Sequence, residues 1–114
     1  MEIKLYYSEE FNRDMLELSD RHVMWDIARK LPEDRKIDDT MYSAAVFQHL
    51  DNLGSHYHTE FYQCGRSGRH VCVEDTPTNR RNYRHMVNAV EKAINSLINE
   101  EMEFYTEEVY TEKI

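Results

Sequence analysis

Five side chains that could bind a metal ion lie within 17 residues of one another near the middle of the chain. Their types are those that bind zinc in proteins, and they are His56, His58, Cys64, His70 and Cys72. On two strands joined by a four-residue turn, the first three face one side and the last two face the other. A hairpin alone therefore cannot gather four ligands. We expect no metal or other cofactor, and a zinc-binding domain or hydrolase on this hairpin is the third alternative for the function.

Nucleophilic catalysis would need a thiol or hydroxyl within hydrogen-bond reach of a base that a third group orients. Cys64, Ser67 and Cys72 have histidines nearby only in sequence, so we expect a protein that is not an enzyme. The two cysteines are too far from directly opposite on such a hairpin to form a disulfide. Two reduced thiols and the absence of a signal-peptide pattern predict a cytoplasmic protein, in the bacterial host if a phage encodes it.

Five of the nine arginines fall between residues 66 and 84, in a chain of net charge −8. We call this set the arginine island, and it consists of Arg66, Arg69, Arg80, Arg81 and Arg84. The last three lie in the first turns of a predicted helix, where the helix dipole disfavours positive charge. Either internal acids such as Glu74 and Asp75 balance them, or an external anion does. The external anion would be a phosphate or the carboxylates of a partner.

The C-terminal part of the chain is the opposite, acidic and aromatic. We call residues 100–112 the glutamate segment, and its candidate binding residues are Glu100, Glu101, Glu103, Tyr105, Glu107 and Glu108. It is either a solvated helix end or a surface that docks on a basic partner, since complementary charge speeds encounter and selects partners. The overall acidity argues against general nucleic-acid binding.

Hydrophobic periodicity predicts the elements that carry these residues. Alternation over residues 3–7 predicts a strand. Ser8 as a cap, with Phe11, Met15 and Leu18 at helical spacing, predicts a helix that continues up to Pro32, although Ser19-Asp20 could divide it into two. A second helix begins at Asp39 or Thr40 and ends at Gly54.

A hairpin follows, with strands over 56–64 and 69–75 around the turn at 65–68. Thr76-Pro77 predicts the start of a long helix that reaches about Phe104. Residues 105–114 extend that helix, form an edge strand or remain a loose acidic tail. The chain is thus predicted to be a single α+β domain over 1–114. Its element order is β-α-α-β-β-α, with a small three-stranded antiparallel or mixed sheet packed against helices. No apolar run is long enough to span a membrane.

The run CGRSGRHVCVEDTPTNRRNY, in an acidic chain dense in Tyr, Met and Glu, resembles the small accessory proteins of bacteriophages and mobile elements. Such proteins include inhibitors of host defence nucleases, among them anti-CRISPR proteins, which are often acidic domains that block a nucleic-acid channel. The resemblance implies stoichiometric protein binding and carries over no catalytic residue.

The sequence therefore predicts a non-enzymatic protein-binding module. The resemblance makes it a phage-type inhibitor of a bacterial nucleic-acid-handling protein, whose basic surface would meet the glutamate segment. The alternative is a nucleic-acid-binding accessory protein that uses the arginine island directly. The wide apolar stripe of the last helix also predicts a homodimer, since one small core need not cover it.

Overall fold

The computed structural model describes the backbone of residues 2–30 and 39–112, and the side chains of 2–29, 44–66 and 68–99. Four antiparallel strands form one sheet in the order β1-β2-β4-β3, and helices pack on one of its faces. The strands are β1 (Leu5–Ser8), β2 (Arg13–Ser19), β3 (Tyr62–Cys64) and β4 (His70–Val73). The helices are α1 (Val23–Lys30), α2 (Asp39–Tyr57) and α3 (Pro77–Glu112), and a 3-10 turn covers Arg66–Gly68.

The α+β class and the long C-terminal helix are confirmed, but the predicted three strands and their order are wrong. The observed order is β-β-α-α-β-β-α, because residues 13–19 form β2 instead of the first half of a helix. This strand lies at the centre of the sheet and is buried on both faces, so the alternation typical of strands is lost. Met15 and Glu17 face one side, and Leu16 and Leu18 face the other.

The predicted helix start at Ser8 is a turn between β1 and β2. The Ser8 hydroxyl accepts a hydrogen bond from the Phe11 backbone N–H at 3.2 Å, which is the bond expected of a cap. Asn12 then takes a left-handed conformation, with φ of 52°, which asparagine tolerates better than most residues. A side chain that can cap a helix therefore closes a hairpin, with Ser8 paired to Arg13.

The end predicted for α2 at Gly54 is also wrong, since the helix continues to Tyr57. His58 takes the left-handed conformation, with φ of 55°, and the Thr59 N–H donates to the Gly54 carbonyl at 3.2 Å. Gly54 is needed for close approach instead, because a Cβ there would lie 2.8 Å from the Thr59 carbonyl oxygen. His56 is thus helical, and the strand predicted from His56 begins only at Tyr62. The side chains of the predicted caps Asp39 and Thr40 lie outside the described residues.

The β3–β4 hairpin exists, but its turn has five residues, Gly65 to Arg69, where four were predicted. Cys64 is paired with His70, and Tyr62 with Cys72. Directly opposite residues share a face, so Cys64, His70 and Cys72 all lie on the same side of the sheet. The prediction that His70 and Cys72 face away from Cys64 is therefore wrong. One extra residue in the turn reverses the side of every residue on one strand.

The start of α3 is confirmed, with Thr76 and Pro77 in the predicted roles. The Thr76 hydroxyl accepts a hydrogen bond from the Asn79 backbone N–H at 3.1 Å. The helix backbone continues through the glutamate segment to Glu112, while its side chains beyond residue 99 lie outside the described part. No helix among the described residues is both long and apolar enough to cross a membrane.

Two apolar clusters lie on the two faces of the sheet. The main core joins the sheet to all three helices, and its fully buried members include Leu16, Ile27, Val73, Met86 and Val90. A smaller cluster on the opposite face contains Met15, Cys64 and Cys72, with Tyr6, Phe11 and Tyr62 packed against it. The Tyr83 hydroxyl fastens α3 to β2 by donating to the Glu17 carbonyl at 2.6 Å.

Candidate functional site

A groove of about 580 Å³ lies between the helices and the turn that connects β3 to β4. Apolar residues from four separate segments form its walls and floor. They include Val23, Met24 and Ala28 of α1, Val46 and Leu50 of α2, Val71 of β4, and Val90, Ala93, Ile94 and Leu97 of α3. The same valines and leucines belong to the main core, so the groove is an opening onto the interior between α1 and α2. Such a surface can receive apolar side chains from another molecule.

Two large aromatic side chains stand exposed along this groove. Trp25 is 60% exposed and Phe47 is 51% exposed, although both line the groove. Trp25 projects from α1 because that short helix buries Val23 and Ile27 against the core, and position 25, two residues from each, lies on the other side of the helix. The His22 ring accepts a hydrogen bond from the Trp25 backbone N–H at 3.0 Å, which fixes the start of α1 beside the groove.

One rim of the groove carries Arg21, which is held by three side chains. Its guanidinium donates to Asp26 Oδ2, Glu91 Oε1 and Asn95 Oδ1, each at 2.6 Å. The bonds to Glu91 and Asn95 tie the segment before α1 to the middle of α3, 70 and 74 positions later in the chain. Arg21 therefore holds the start of α1 against α3 beside the groove, and its charge is balanced by acids of the same molecule.

The rim also carries Arg69, whose guanidinium Nε lies 2.8 Å from Asp20 Oδ1 and donates a hydrogen bond to the Asp20 carbonyl at 3.2 Å. The two rim arginines thus stand against three carboxylates, those of Asp20, Asp26 and Glu91. The charged residues that line the described part of the groove are two arginines, and both are neutralised by carboxylates that lie beside it.

The arginine island does not form one patch, because β4 separates its members into two groups. Arg66 and Arg69 lie in the turn before β4, and Arg80, Arg81 and Arg84 lie in the first turns of α3 after it. Internal acids balance part of the island, since Arg69 pairs with Asp20 and Arg80 pairs with Asp75.

The Arg80–Asp75 pair is bidentate, with N–O distances of 2.6 and 2.8 Å. Its hydrogen bonds lower the pKa of the Asp75 carboxyl and raise the pKa of the Arg80 guanidinium. Arg81 donates to the Thr78 hydroxyl at 3.1 Å, while Arg66 and Arg84 are exposed. The island therefore combines internally bonded arginines with arginines that face solvent.

The five predicted metal-ligand candidates do not all come together, because only Cys64, His70 and Cys72 share one face of the sheet. His56 lies in the last turn of α2 with its ring against Tyr57, and His58 is exposed in the turn after it. The two thiols are buried in the small cluster, and both are free. Only His70 contacts acids, and these belong to a group that the sequence did not indicate.

Burial should make both thiols unreactive in the folded protein. Exclusion from water raises the pKa of the Cys64 thiol and raises that of Cys72 still further, which disfavours the reactive thiolate. We expect Ellman's reagent to modify the native protein at least about a hundredfold more slowly than the denatured protein, since opening a buried site costs several kcal/mol. Guanidinium-denatured protein is the control, and both of its thiols should react at once, releasing two equivalents of thionitrobenzoate per chain. Rapid reaction of either thiol in the native protein would contradict the buried cluster.

The candidate binding residues of the glutamate segment have side chains outside the described part of the structure. Their backbone continues α3 directly from the floor of the groove, where Leu97 is the last lining residue. At 1.5 Å per residue, the helix from Leu97 to Glu112 spans roughly 22 Å. Any partner seated in the groove at that end would lie near this acidic helix.

Sequence reasoning did not single out the residues that define the groove. Trp25 and Phe47 lie off the apolar stripes by which α1 and α2 pack on the core. A large aromatic residue outside the apolar stripe of an amphipathic helix itself indicates an interaction surface, because its exposure contributes nothing to packing of the core. Glu17, Asp20 and Arg21 gave no comparable signal, since their partners lie far away in sequence.

Comparison with models of known protein families gives no match, and no curated protein or solved structure matches the chain either. The functional argument therefore depends on the groove and on the charges around it.

Proposed function

We propose that this chain is a non-enzymatic protein-binding module that receives an amphipathic segment of a basic partner in its groove. The observation that carries this proposal is the exposure of Trp25 and Phe47 along an apolar groove. Exposed apolar patches of this kind mark interaction sites on soluble proteins, and tryptophan is among the residues that contribute most to binding at interfaces.

The form of the groove favours a helix or an extended segment as its occupant. Its walls come from α1, α2 and α3, and grooves between helices bind the apolar face of an amphipathic helix in several known modes of recognition. A partner side chain inserted between Trp25 and Phe47 would reach the apolar floor at Val90 and Ile94.

Charge supports a basic partner. The two arginines that line the groove are paired with three carboxylates beside it, and the whole chain has a net charge of −8. Residues 100–112 add six glutamates and no lysine or arginine along the helix that leaves the groove floor. A partner with apolar side chains for the groove and cations beside them would match both features.

Proteins that handle nucleic acid are a large class with such basic surfaces. We therefore propose that the partner is a bacterial nucleic-acid-handling protein, a defence protein of the CRISPR type among them, and that binding in the cytoplasm blocks its nucleic-acid site. The alternative, direct nucleic-acid binding by the arginine island, has less support. Arg69 and Arg80 are already paired, and the island is divided between two ends of β4.

A photo-crosslinking experiment tests the proposal. A benzophenone amino acid replaces Phe47 in one variant and Asn88, an exposed residue of α3 outside the groove, in the control. Both proteins are irradiated in a bacterial lysate, and mass spectrometry identifies the adducts. The partner is then purified, and its binding is followed by the fluorescence of Trp25, the only tryptophan.

We expect one basic protein to crosslink at position 47 and not at position 88, and to shift the emission of Trp25 to shorter wavelength at a 1:1 ratio. Equal adducts at both positions, or no adduct, would contradict the proposal. A mobility shift on nucleic acid by this chain alone, lost when Arg66, Arg81 and Arg84 are replaced, would favour the alternative.

A further inference from the structure

We infer that Glu17, Asp20 and His70 form a binding site for a single divalent transition-metal ion, of which Zn²⁺ is the best-suited example. One ligand atom from each residue lies within 4.8 Å of the other two. The site lies on the sheet face opposite the helices and meets the rim of the groove only through the Asp20–Arg69 pair. It does not depend on the proposed function.

A β-bulge brings the two acids to the same face. Glu17 pairs with Cys72 and Ser19 pairs with Val71, so β2 uses one more residue than β4 between these pairs. On a regular strand, positions 17 and 20 would point to opposite faces. The extra residue reverses that relation, so Asp20 points to the side of Glu17 and His70. Bulges that re-aim a side chain are over-represented beside functional sites.

The imidazole of His70 meets both acids through one atom. Its Nδ1 lies 2.6 Å from Glu17 Oε1 and 3.2 Å from Asp20 Oδ1. A single proton on Nδ1 can make only one good hydrogen bond between two acceptors at such positions. A divalent cation that accepts electron pairs from all three atoms satisfies every group at once.

Asp20 supplies an independent observation in favour of a ligand at this position. Its Oδ1 atom is buried and receives no hydrogen bond from the described part of the protein. Arg69 Nε lies 2.8 Å away, but the contact is an ion pair without the geometry of a hydrogen bond. Buried carboxylate oxygens normally have a donor or a metal ion as partner.

Glu17 is the deeper of the two acids, with 4% of its side chain exposed. Lys4 Nζ lies 3.0 Å from Oε2 and leaves Oε1 facing His70. This contact would orient the carboxylate in the manner of the groups that support metal ligands. The side chains of Lys4 and Arg69 are both more than half exposed. When a metal ion binds, each of them can move away into solvent without being buried.

The position of the imidazole is fixed by its surroundings. The Tyr6 ring stacks on it with a centroid distance of 4.1 Å. Gly65, with φ of 85°, permits this packing, since a Cβ there would lie 2.7 Å from His70 Cδ2 and 2.9 Å from the Tyr6 hydroxyl oxygen. When Nδ1 binds the metal, the remaining ring proton is on Nε2.

One imidazole and two carboxylates suit Zn²⁺, which takes nitrogen and oxygen ligands at about 2.0 to 2.2 Å in tetrahedral geometry. Two ligands at those lengths lie about 3.3 Å apart. The 3.2 Å separation already fits, and the 2.6 Å separation would open by some tenths of an ångström. Three protein ligands leave the fourth position to water.

Calorimetric titration of ZnCl₂ into full-length protein tests the site. The protein is purified without a histidine tag and treated with a chelator. Asp20→Asn and His70→Gln remove one ligand each, and His85→Gln removes an exposed histidine of α3 outside the cluster as the matched control. Circular dichroism and the melting temperature verify folding. Since Asp20 is partly exposed, its variant decides the test if His70→Gln does not fold.

We expect one Zn²⁺ per chain, an affinity lowered at least about tenfold by Asp20→Asn and by His70→Gln, and no change with His85→Gln. Co²⁺ in place of Zn²⁺ should show visible absorption bands that the same two variants remove. Less than one equivalent of Zn²⁺, or an affinity that folded Asp20→Asn leaves unchanged, would overturn the inference. An equal loss with His85→Gln would do so too, by placing the metal on surface histidines.

Discussion

Replacing Leu16 with alanine is expected to lower the free energy of unfolding by about 2 to 5 kcal/mol, the range for removing a large apolar side chain from a core. Leu16 is completely buried in the main core and is paired with Leu5 on one neighbouring strand and Val73 on the other. Urea denaturation followed by circular dichroism measures the change. It would be a large part of the stability of a domain of this size.

The same variant distinguishes the strand from the helix that the sequence predicts. In that helix, Leu16 lies off the stripe of Phe11, Met15 and Leu18, and its loss would have little effect. Asp14→Ala is the control, because Asp14 is exposed on the same strand and should change the stability by less than about 0.5 kcal/mol. A Leu16→Ala protein as stable as this control would refute the position of β2.

Replacing Trp25 with alanine should weaken binding of the crosslinked partner by about 2 kcal/mol or more, which is roughly 30-fold in the dissociation constant. Phe47→Ala should have an effect of the same order, since the two rings stand along one groove. Both side chains are more than half exposed, so their loss should leave the melting temperature nearly unchanged. Calorimetry with the purified partner measures the affinity.

Asn88→Ala is the matched control on the outer side of α3, and it should bind as the unmodified protein does. If Trp25→Ala and Phe47→Ala both retain full affinity while the partner still binds, the partner uses another surface and the groove is not the binding site. Because the Trp25 variant has no tryptophan, its titration must be followed by heat rather than by fluorescence.

The sequence predicted most reliably the features that short segments determine by themselves. The start of α3 needs only Thr76 and Pro77, and its apolar stripe needs only regular spacing, so both are confirmed. The α+β class follows from the same local patterns. At Ser8 the predicted hydrogen bond of a cap does form, but the predicted helix does not, because the element that it closes is a hairpin.

The features that the sequence could not predict depend on contacts between distant segments. β2 is buried on both faces because the main core with the helices covers one face and the small cluster around Met15, Cys64 and Cys72 covers the other. Glu17 is polar and yet buried, so residue types alone do not show which face of β2 meets solvent. The bulge before Ser19 and the fifth residue of the β3–β4 turn each reverse the face of the residues beyond them. Neither shift leaves a pattern in composition or spacing.

The candidate site is unpredictable for a similar reason. The groove is assembled from α1, α2, the β3–β4 turn and α3, and no one of these segments shows a cavity by itself. The arginine island, by contrast, is conspicuous in sequence because its members are neighbours along the chain. In three dimensions β4 separates its members into two groups, so arginines that are close in sequence do not form one surface patch.

The pairing of β2 with β4 also determines when the sheet can form during synthesis. The N-terminal hairpin leaves the ribosome first, but Val73, the partner of Leu16, is added much later. At about 5 to 20 residues per second, roughly 3 to 11 seconds separate the two. An isolated hairpin is at best marginally stable in water, so the nascent chain carries an uncovered apolar face over that interval. The step that completes the sheet is the pairing of β4 with β2, and chaperones have access to the chain until it occurs.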